Sequence, residues 1–326
     1  MGLNAVVTTR KTRKNNSQTP YKDIRAKIAT YPHLKEKIYL HLLLTLHEKQ
    51  HILIDDIYAQ ARKEAKTFKY DQDTANPNVG PEHWSSNERR IIRRLTLKSA
   101  CEHLSTDKID ELIFSVVKRD YVYALENIAN LTDVSFGVLA DKVREFCAIP
   151  SLKPLPKEEV IGLRVSLLRQ FISDQLEFIR IAKHHISARD MQPLIDNTIG
   201  SAAGHGRIGG KAAGMFLGHK IVRSELGHKY GDYIKIPESY YLRSDVFEDF
   251  LSLNGLTRYQ NQKYKSTEEI RNEFPAIQEV FRNGQFPDYV VKQCRALLKK
   301  VGKHPLVARS SSLLEDNFKA AFSGKY

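Results

Sequence analysis

Two short stretches about a hundred residues apart carry side chains and backbone suited to holding phosphate: Ile208-Gly209-Gly210-Lys211-Ala212-Ala213-Gly214 and Leu306-Val307-Ala308-Arg309-Ser310-Ser311-Ser312-Leu313-Leu314-Glu315-Asp316. In the first, paired glycines let backbone amides approach an anion, and the helix expected to start there adds its positive end and one ammonium, Lys211. The second sets a guanidinium, Arg309, at the end of a short apolar stretch beside the hydroxyls of Ser310 and Ser311, a two-pronged donor for phosphate oxygens. Together they point to a nucleotide, with Gly209, Gly210, Lys211, Arg309, Ser310 and Ser311 as contacts. Lys211 and Arg309 are the two groups able to stabilise charge during phosphoryl transfer. The bland reading of the first stretch is a glycine-rich domain linker.

Two other patterns fit known chemistry less well. Gly204-His205-Gly206-Arg207-Ile208-Gly209 matches GxGxxG, but that fingerprint has meaning only after a core strand, and 193–199 does not read as one. It is not a Walker A loop either, because glycine would be needed where His205 stands and Ser or Thr where Ala212 stands. His47-Glu48-Lys49-Gln50-His51 matches HExxH, in which two imidazoles one helical turn apart bind zinc beside a glutamate base. No histidine follows between Ile52 and Phe68 to complete the ligand set. A helical zinc peptidase is the least favoured reading.

The surrounding elements follow from periodicity. Residues 1–20 are polar and basic without an acid, which predicts a disordered tail. From 21 to 199 apolar residues recur at helical spacing, as in Ile38, Leu42 and Leu46, in Ile109, Leu112, Ile113 and Val116, and in Val160, Leu163, Leu167 and Phe171, so this is a helical domain. Breaks fall at the polar loop 76–81 and the proline-punctuated linker 150–156. Glycines then crowd between 200 and 214, and the rest alternates helices with short strands. Expected are a helix over 211–224, a strand over 233–236, a helix capped by Ser244 and closed by Gly255, a helix opening at the Ser266–Glu269 capping box, one over 288–302, and a strand over 305–309.

Composition narrows the classes. No apolar run approaches the roughly 20 residues that cross a bilayer, the residues before Val7 are too short for a secretory signal, and Val6 stands where a myristoylation signal wants Ser or Thr. A cytoplasmic protein with no membrane partner is expected. Cys101, Cys147 and Cys294 are odd in number and far apart, against a disulfide framework or a CxxC metal site. The net charge of +13 is spread: 20 Lys plus Arg against 13 acids from Ser201 onward, leaving 31 against 25 before it. The one dense run, Arg89-Arg90-Ile91-Ile92-Arg93-Arg94, follows a capping-box pattern at Ser85 and Glu88 and reads as a solvated helix face with arginines paired at i, i+4. Nucleic acid is not an expected partner. The oligomeric state is open.

In order along 200–326, Gly209-Gly210-Lys211, Ile236-Pro237-Glu238-Ser239-Tyr240, Phe250-Leu251-Ser252-Leu253-Asn254-Gly255-Leu256, Val307-Ala308-Arg309-Ser310-Ser311-Ser312 with Glu315-Asp316, and Ala321-Phe322-Ser323-Gly324 resemble the N-terminal nucleotide-binding domain of phosphoenolpyruvate synthases and pyruvate phosphate dikinases. The chain departs from the family at Ile236-Pro237-Glu238 and carries an extra residue before Arg309. The resemblance implies a mainly α N-terminal domain followed by an α+β, partial ATP-grasp-like domain that binds ATP through Lys211 and Arg309. It also implies Mg2+ held by acidic ligands beyond Tyr326, and passage of phosphoryl to a histidine domain and then to pyruvate by domains further along. None of the twelve histidines has the family's Thr-x-His-Ala setting. Residues 200–326 thus read as the first part of that domain within a longer chain, inactive alone and binding ATP weakly or not at all. The alternative is a non-catalytic helical scaffold or regulatory module with a degenerate nucleotide domain.

Overall fold

The computed structural model describes residues 18–67, 84–149, 155–311, 316–317 and 320–321. The expected polar loop at 76–81, the 150–154 part of the linker, Ser312, Glu315 and 322–324 lie outside these, as does the tail up to residue 17. The chain forms two compact units, one of residues 1–120 with 151–155, the other of 121–150 with 156–326. That division lies near residue 120, and the change of texture near 200 falls inside the second unit.

The first unit is all helical: α1 (Gln18–Ala29), α2 (Lys35–Glu48), α3 (Ile54–Thr67), α4 (Ser86–His103) and the first part of α5 (Thr106–Ala129). Helix α1 starts at Gln18, so residues 18–20, expected in the tail, are helical. The stripes read from the sequence are core: Ile38, Leu42, Leu46, Ile109, Leu112, Ile113 and Val116 are buried. Leu43, Ile57, Ala61, Ile91 and Leu95 close a cluster where α2 and α3 pack on α4. The capping box forms as expected, with the Glu88 amide donating to Ser85 Oγ at 3.2 Å and the Ser85 amide to Glu88 Oε2 at 2.9 Å. The arginine run is organised differently from the expected i, i+4 pairing. Because α4 packs on its neighbours, Arg93 pairs with Glu36 of α2 and Arg94 with Glu64 of α3.

The HExxH premise of one continuous helix is corrected. Helix α2 ends at Glu48, and the Gln50 and His51 amides donate back to His47 O and Leu46 O at 2.8 and 3.0 Å, a Schellman closure. Gln50, at φ 58°, takes the left-handed position that favours glycine. His51 turns away to stack on His103, ring centroids 5.0 Å apart, while His47 Nδ1 lies 3.3 Å from Ile52 O.

The second unit holds α6 (Phe136–Ala148), α7 (Lys157–Phe171), α8 (Leu176–His185), α9 (Met191–Asp196), β1 (Thr198–Ile199), α10 (Gly210–Tyr230), β2 (Tyr241–Leu242), α11 (Ser244–Leu253), α12 (Thr267–Asn283), α13 (Asp288–Val301), β3 (Asp316–Asn317) and β4 (Ala320–Ala321). It is mostly helical. Strand β1 pairs parallel with β2, and β3 antiparallel with β4. Two expected strands are absent: 233–236 leaves a turn and runs on irregularly, the pairing segment being Tyr241–Leu242, and 305–311 is irregular throughout. Both stretches have apolar alternation but no neighbouring strand to complete their backbone hydrogen bonds. Helix α10 runs six residues beyond the expected 224. The Ser266–Glu269 box opens α12 as expected. Ile199, Val246 and Val290 form the small core joining β1, α11 and α13.

Helix α10 is anchored along its length by an ion pair. Lys220 Nζ lies 2.5 Å from Asp190 Oδ1, while Asp190 Oδ2 accepts the Ser187 amide at 2.8 Å and hydroxyl at 2.6 Å. Burial pushes the Asp190 carboxyl up, but the Lys220 and Ser187 donors outweigh it and hold it below the usual carboxylate range.

Two outcomes follow. Gln50→Gly removes the left-handed strain at an exposed position and stabilises the protein by about 0.5–1 kcal/mol in denaturant unfolding; equal or lower stability contradicts the strain. Asp190→Asn destabilises by about 1–2 kcal/mol at pH 7. Because the folded carboxyl is depressed, its contribution is present above the unfolded value of about 3.9 and disappears as pH falls through the lower folded value, so the gap between variant and parent closes in acid. A gap constant down to pH 2, on the order of the full range of such linkage, contradicts the assignment.

Candidate functional site

The start of α10 is built by the glycine-rich loop 200–209. Gly209 is the N-cap residue in extended conformation (φ −75°, ψ 172°), with no side chain to satisfy the first-turn amides. The missing cap comes from 99 residues away: Ser311 Oγ accepts the Ala212 amide at 3.0 Å. Ser311 approaches so closely that a Cβ at position 209 would overlap both its carbonyl and its hydroxyl, so only glycine fits there. The sequence expected Gly209 and Ser311 to share a ligand; they meet each other.

Of the six expected contacts, the structure thus brings Gly209, Gly210 and Lys211 to one helix start and places Ser311 on it. Lys211, the second helical residue, is half-buried. Arg309 and Ser310 immediately precede Ser311 and are exposed. The N-terminal turn carries the positive end of a 21-residue helix. It offers amides, an ammonium one residue before Ala212, and a guanidinium two residues before Ser311, which is chemistry for an anion of phosphate type.

What holds the loop was not foreseen in the sequence. Three consecutive residues at the β2–α11 junction each grip a different point of it. Arg243, with 1% of its side chain exposed, donates through Nη2 to Ser201 O and lies 3.1 Å from Asp245 Oδ2. Ser244 bonds Arg207 in both directions, its amide donating to Arg207 O at 2.9 Å and its Oγ accepting the Arg207 amide at 3.2 Å. Asp245 projects its carboxylate against Gly204 and Gly206, where any Cβ would strike it. Two glycines of the GxGxxG pattern therefore make room for a buried carboxylate.

The remaining sides are closed by backbone. The Phe136 amide donates to Gly204 O and the Gly137 amide to Ala202 O, both at 2.8 Å, and the Ile208 amide reaches Phe171 O at 3.2 Å. Gln293 of α13 clasps Gly200 through Oε1 at 3.0 Å and Nε2 at 3.2 Å. The Arg243 guanidinium stacks over Phe136, 4.0 Å from the ring centroid. Burial pulls its pKa below the ordinary arginine value, with Asp245 opposing. Nearby, Tyr289 donates to Asp249 Oδ2 at 2.5 Å, and burial together with that bond pushes the phenol up.

Among the described residues no group of three or more His, Cys, Asp or Glu side chains could hold a metal ion. No helix among them is long and apolar enough to cross a membrane. The loop and helix start fit a nucleotide phosphate; they supply no carboxylate set for Mg2+.

No curated protein and no solved structure matches the chain. Residues 205–326, which span the loop from His205, α10 and the Arg309–Ser311 segment, match the family model described as the pyruvate phosphate dikinase AMP/ATP-binding domain. Residues 205–326 therefore belong to the pyruvate phosphate dikinase AMP/ATP-binding domain family.

Proposed function

We propose that the second unit binds ATP phosphates at the start of α10, as the nucleotide-binding portion of a phosphotransferase resembling phosphoenolpyruvate synthase and pyruvate phosphate dikinase. The observation that supports this best is the Ala212–Ser311 hydrogen bond, which joins the two segments carrying Lys211 and Arg309. In this reading Gly209 and Gly210 give their amides, Lys211 a point charge, and Arg309 with Ser310 and Ser311 the opposing donors. Residues 200–326 are then the first part of an ATP-grasp-like domain, 21–199 a helical domain and 1–20 a basic tail. Mg2+ ligands, the phosphohistidine step and pyruvate belong to other segments, the residues described here serve to bind and orient the phosphates, and the protein works in the cytoplasm. Alone this portion holds ATP weakly and does not turn over.

One observation favours the second reading, a regulatory module with a degenerate nucleotide site. Ser311 already occupies the Ala212 amide that a phosphate oxygen would use.

Titrating the protein with ATP while following backbone amides by NMR separates the two. The ATP reading predicts saturable shifts at Gly209–Ala212 with Kd on the order of 1 mM or weaker. It also predicts their loss in Lys211→Ala and Arg309→Ala, each removing a charged contact worth about 1.5–3 kcal/mol. Amides at the helix start that ignore ATP, or variants that titrate like the parent, contradict it.

A further inference from the structure

Three successive side chains, Arg243, Ser244 and Asp245, reach Ser201, Arg207 and the Gly204–Gly206 pair, so one short segment controls the whole approach to α10. The pair at its ends is an unusual holder. Arg243 Nε and Nη1 and both Asp245 carboxylate oxygens are buried without a hydrogen-bond partner among the described residues. The 3.1 Å approach of Nη2 to Oδ2 is an ion pair, not an aligned hydrogen bond. Buried polar atoms left unsatisfied demand a reason, and a pair of opposite charges in place of a saturated network keeps the loop tight through charge and shape together. Ordinary packing would not call for it, because an apolar pair of similar volume fills such space without the desolvation cost.

We propose that Arg243 and Asp245 are positioning residues: their buried ion pair clamps the 200–209 loop against the β2–α11 junction and so fixes the geometry of the amides at the start of α10. The proposal rests on the nucleotide reading for its purpose, but the clamp itself is a statement about the ligand-free protein. Loss of either charge leaves the other buried and uncompensated beneath the glycines, and the loop opens to hydrate it. The phosphate-binding conformation is then one of several, and apparent affinity falls by the fraction of time it is populated.

Hydrogen exchange on the intact chain tests the clamp without ligand. In the parent protein the Gly204 amide, bonded to Ser201 O at 3.0 Å, and the Arg207 amide exchange far more slowly than open chain; fast exchange there overturns the proposal before any variant is made. Asp245→Asn, which keeps shape and removes charge, and Arg243→Lys, which keeps charge and removes the fork, each raise exchange across 204–212 roughly tenfold or more while α7 and α8 are unchanged. Tyr289→Phe, which breaks the neighbouring bond to Asp249, leaves 204–212 as in the parent. Unchanged exchange at 204–212 in both charge variants, or a rise spread evenly over the unit, overturns the clamp.

The ATP titration supplies the second arm. Asp245→Asn weakens apparent ATP affinity roughly fivefold or more while reaching the same end-point amide shifts as the parent, the mark of a lost conformational preference with contacts intact. Equal affinity beside a loosened loop overturns the positioning role. A parent protein blind to ATP whose loop still loosens on Asp245→Asn upholds the clamp and contradicts the nucleotide reading instead.

Discussion

Everything at the start of α10 depends on how the 200–209 loop is held, and the buried Arg243–Asp245 pair is the strongest single constraint on it. Magnitudes decide this. Breaking a buried ion pair by removing one partner costs about 3–5 kcal/mol, whereas losing a helix cap such as the Ser311 hydroxyl costs about 1 kcal/mol. The junction of β2 and α11 therefore anchors the loop, and Ser311 trims its end. The two contacts differ in kind as well. Asp245 is locked under glycines that admit no side chain, while Ser311 belongs to an irregular segment with exposed neighbours and one polar bond to the helix.

That difference suits a phosphate site. A rigid floor keeps the amides aimed, which lowers the ordering cost on binding, and a weakly held hydroxyl on the Ala212 amide is easily exchanged for a phosphate oxygen. Without an anion the same amide would be an orphan donor at a helix start. Ser311 meets that need, so the cap and the expected ligand contact are two states of one hydrogen-bonding position. Lys220 and Asp190 fix the helix further along, so movement is confined to the first turn and the 305–311 segment.

Local signals in the sequence proved readable. The Ser85–Glu88 and Ser266–Glu269 boxes act within four residues, and both form. Apolar stripes such as Ile38, Leu42 and Leu46 need only a helix and a neighbour to bury against, and all three are buried. Gly209-Gly210-Lys211 marks a helix start within one residue of its place. What failed depended on partners distant in the chain. Strands over 233–236 and 305–309 had suitable composition but no companion strand, and Tyr241–Leu242 became a strand only because Thr198–Ile199 lies beside it. The pairing of Arg93 and Arg94 with other helices and the closure of α2 at Gln50 are likewise set by packing. Arg243 and Asp245 gave no signal at all, since an Arg-x-Asp triplet is common on surfaces. Only the glycines at 204 and 206 hinted that something close would need room.

The account stands on the 305–311 segment lying against the first turn of α10 in the ligand-free protein. A nitroxide spin label placed by Arg309→Cys in a cysteine-replaced background measures this through paramagnetic relaxation of backbone amides. The structure predicts that the signals of Gly210, Lys211 and Ala212 broaden strongly while those of α12 keep their intensity. Full intensity at the three helix-start amides would show that the two segments do not meet, and the shared phosphate site would be contradicted.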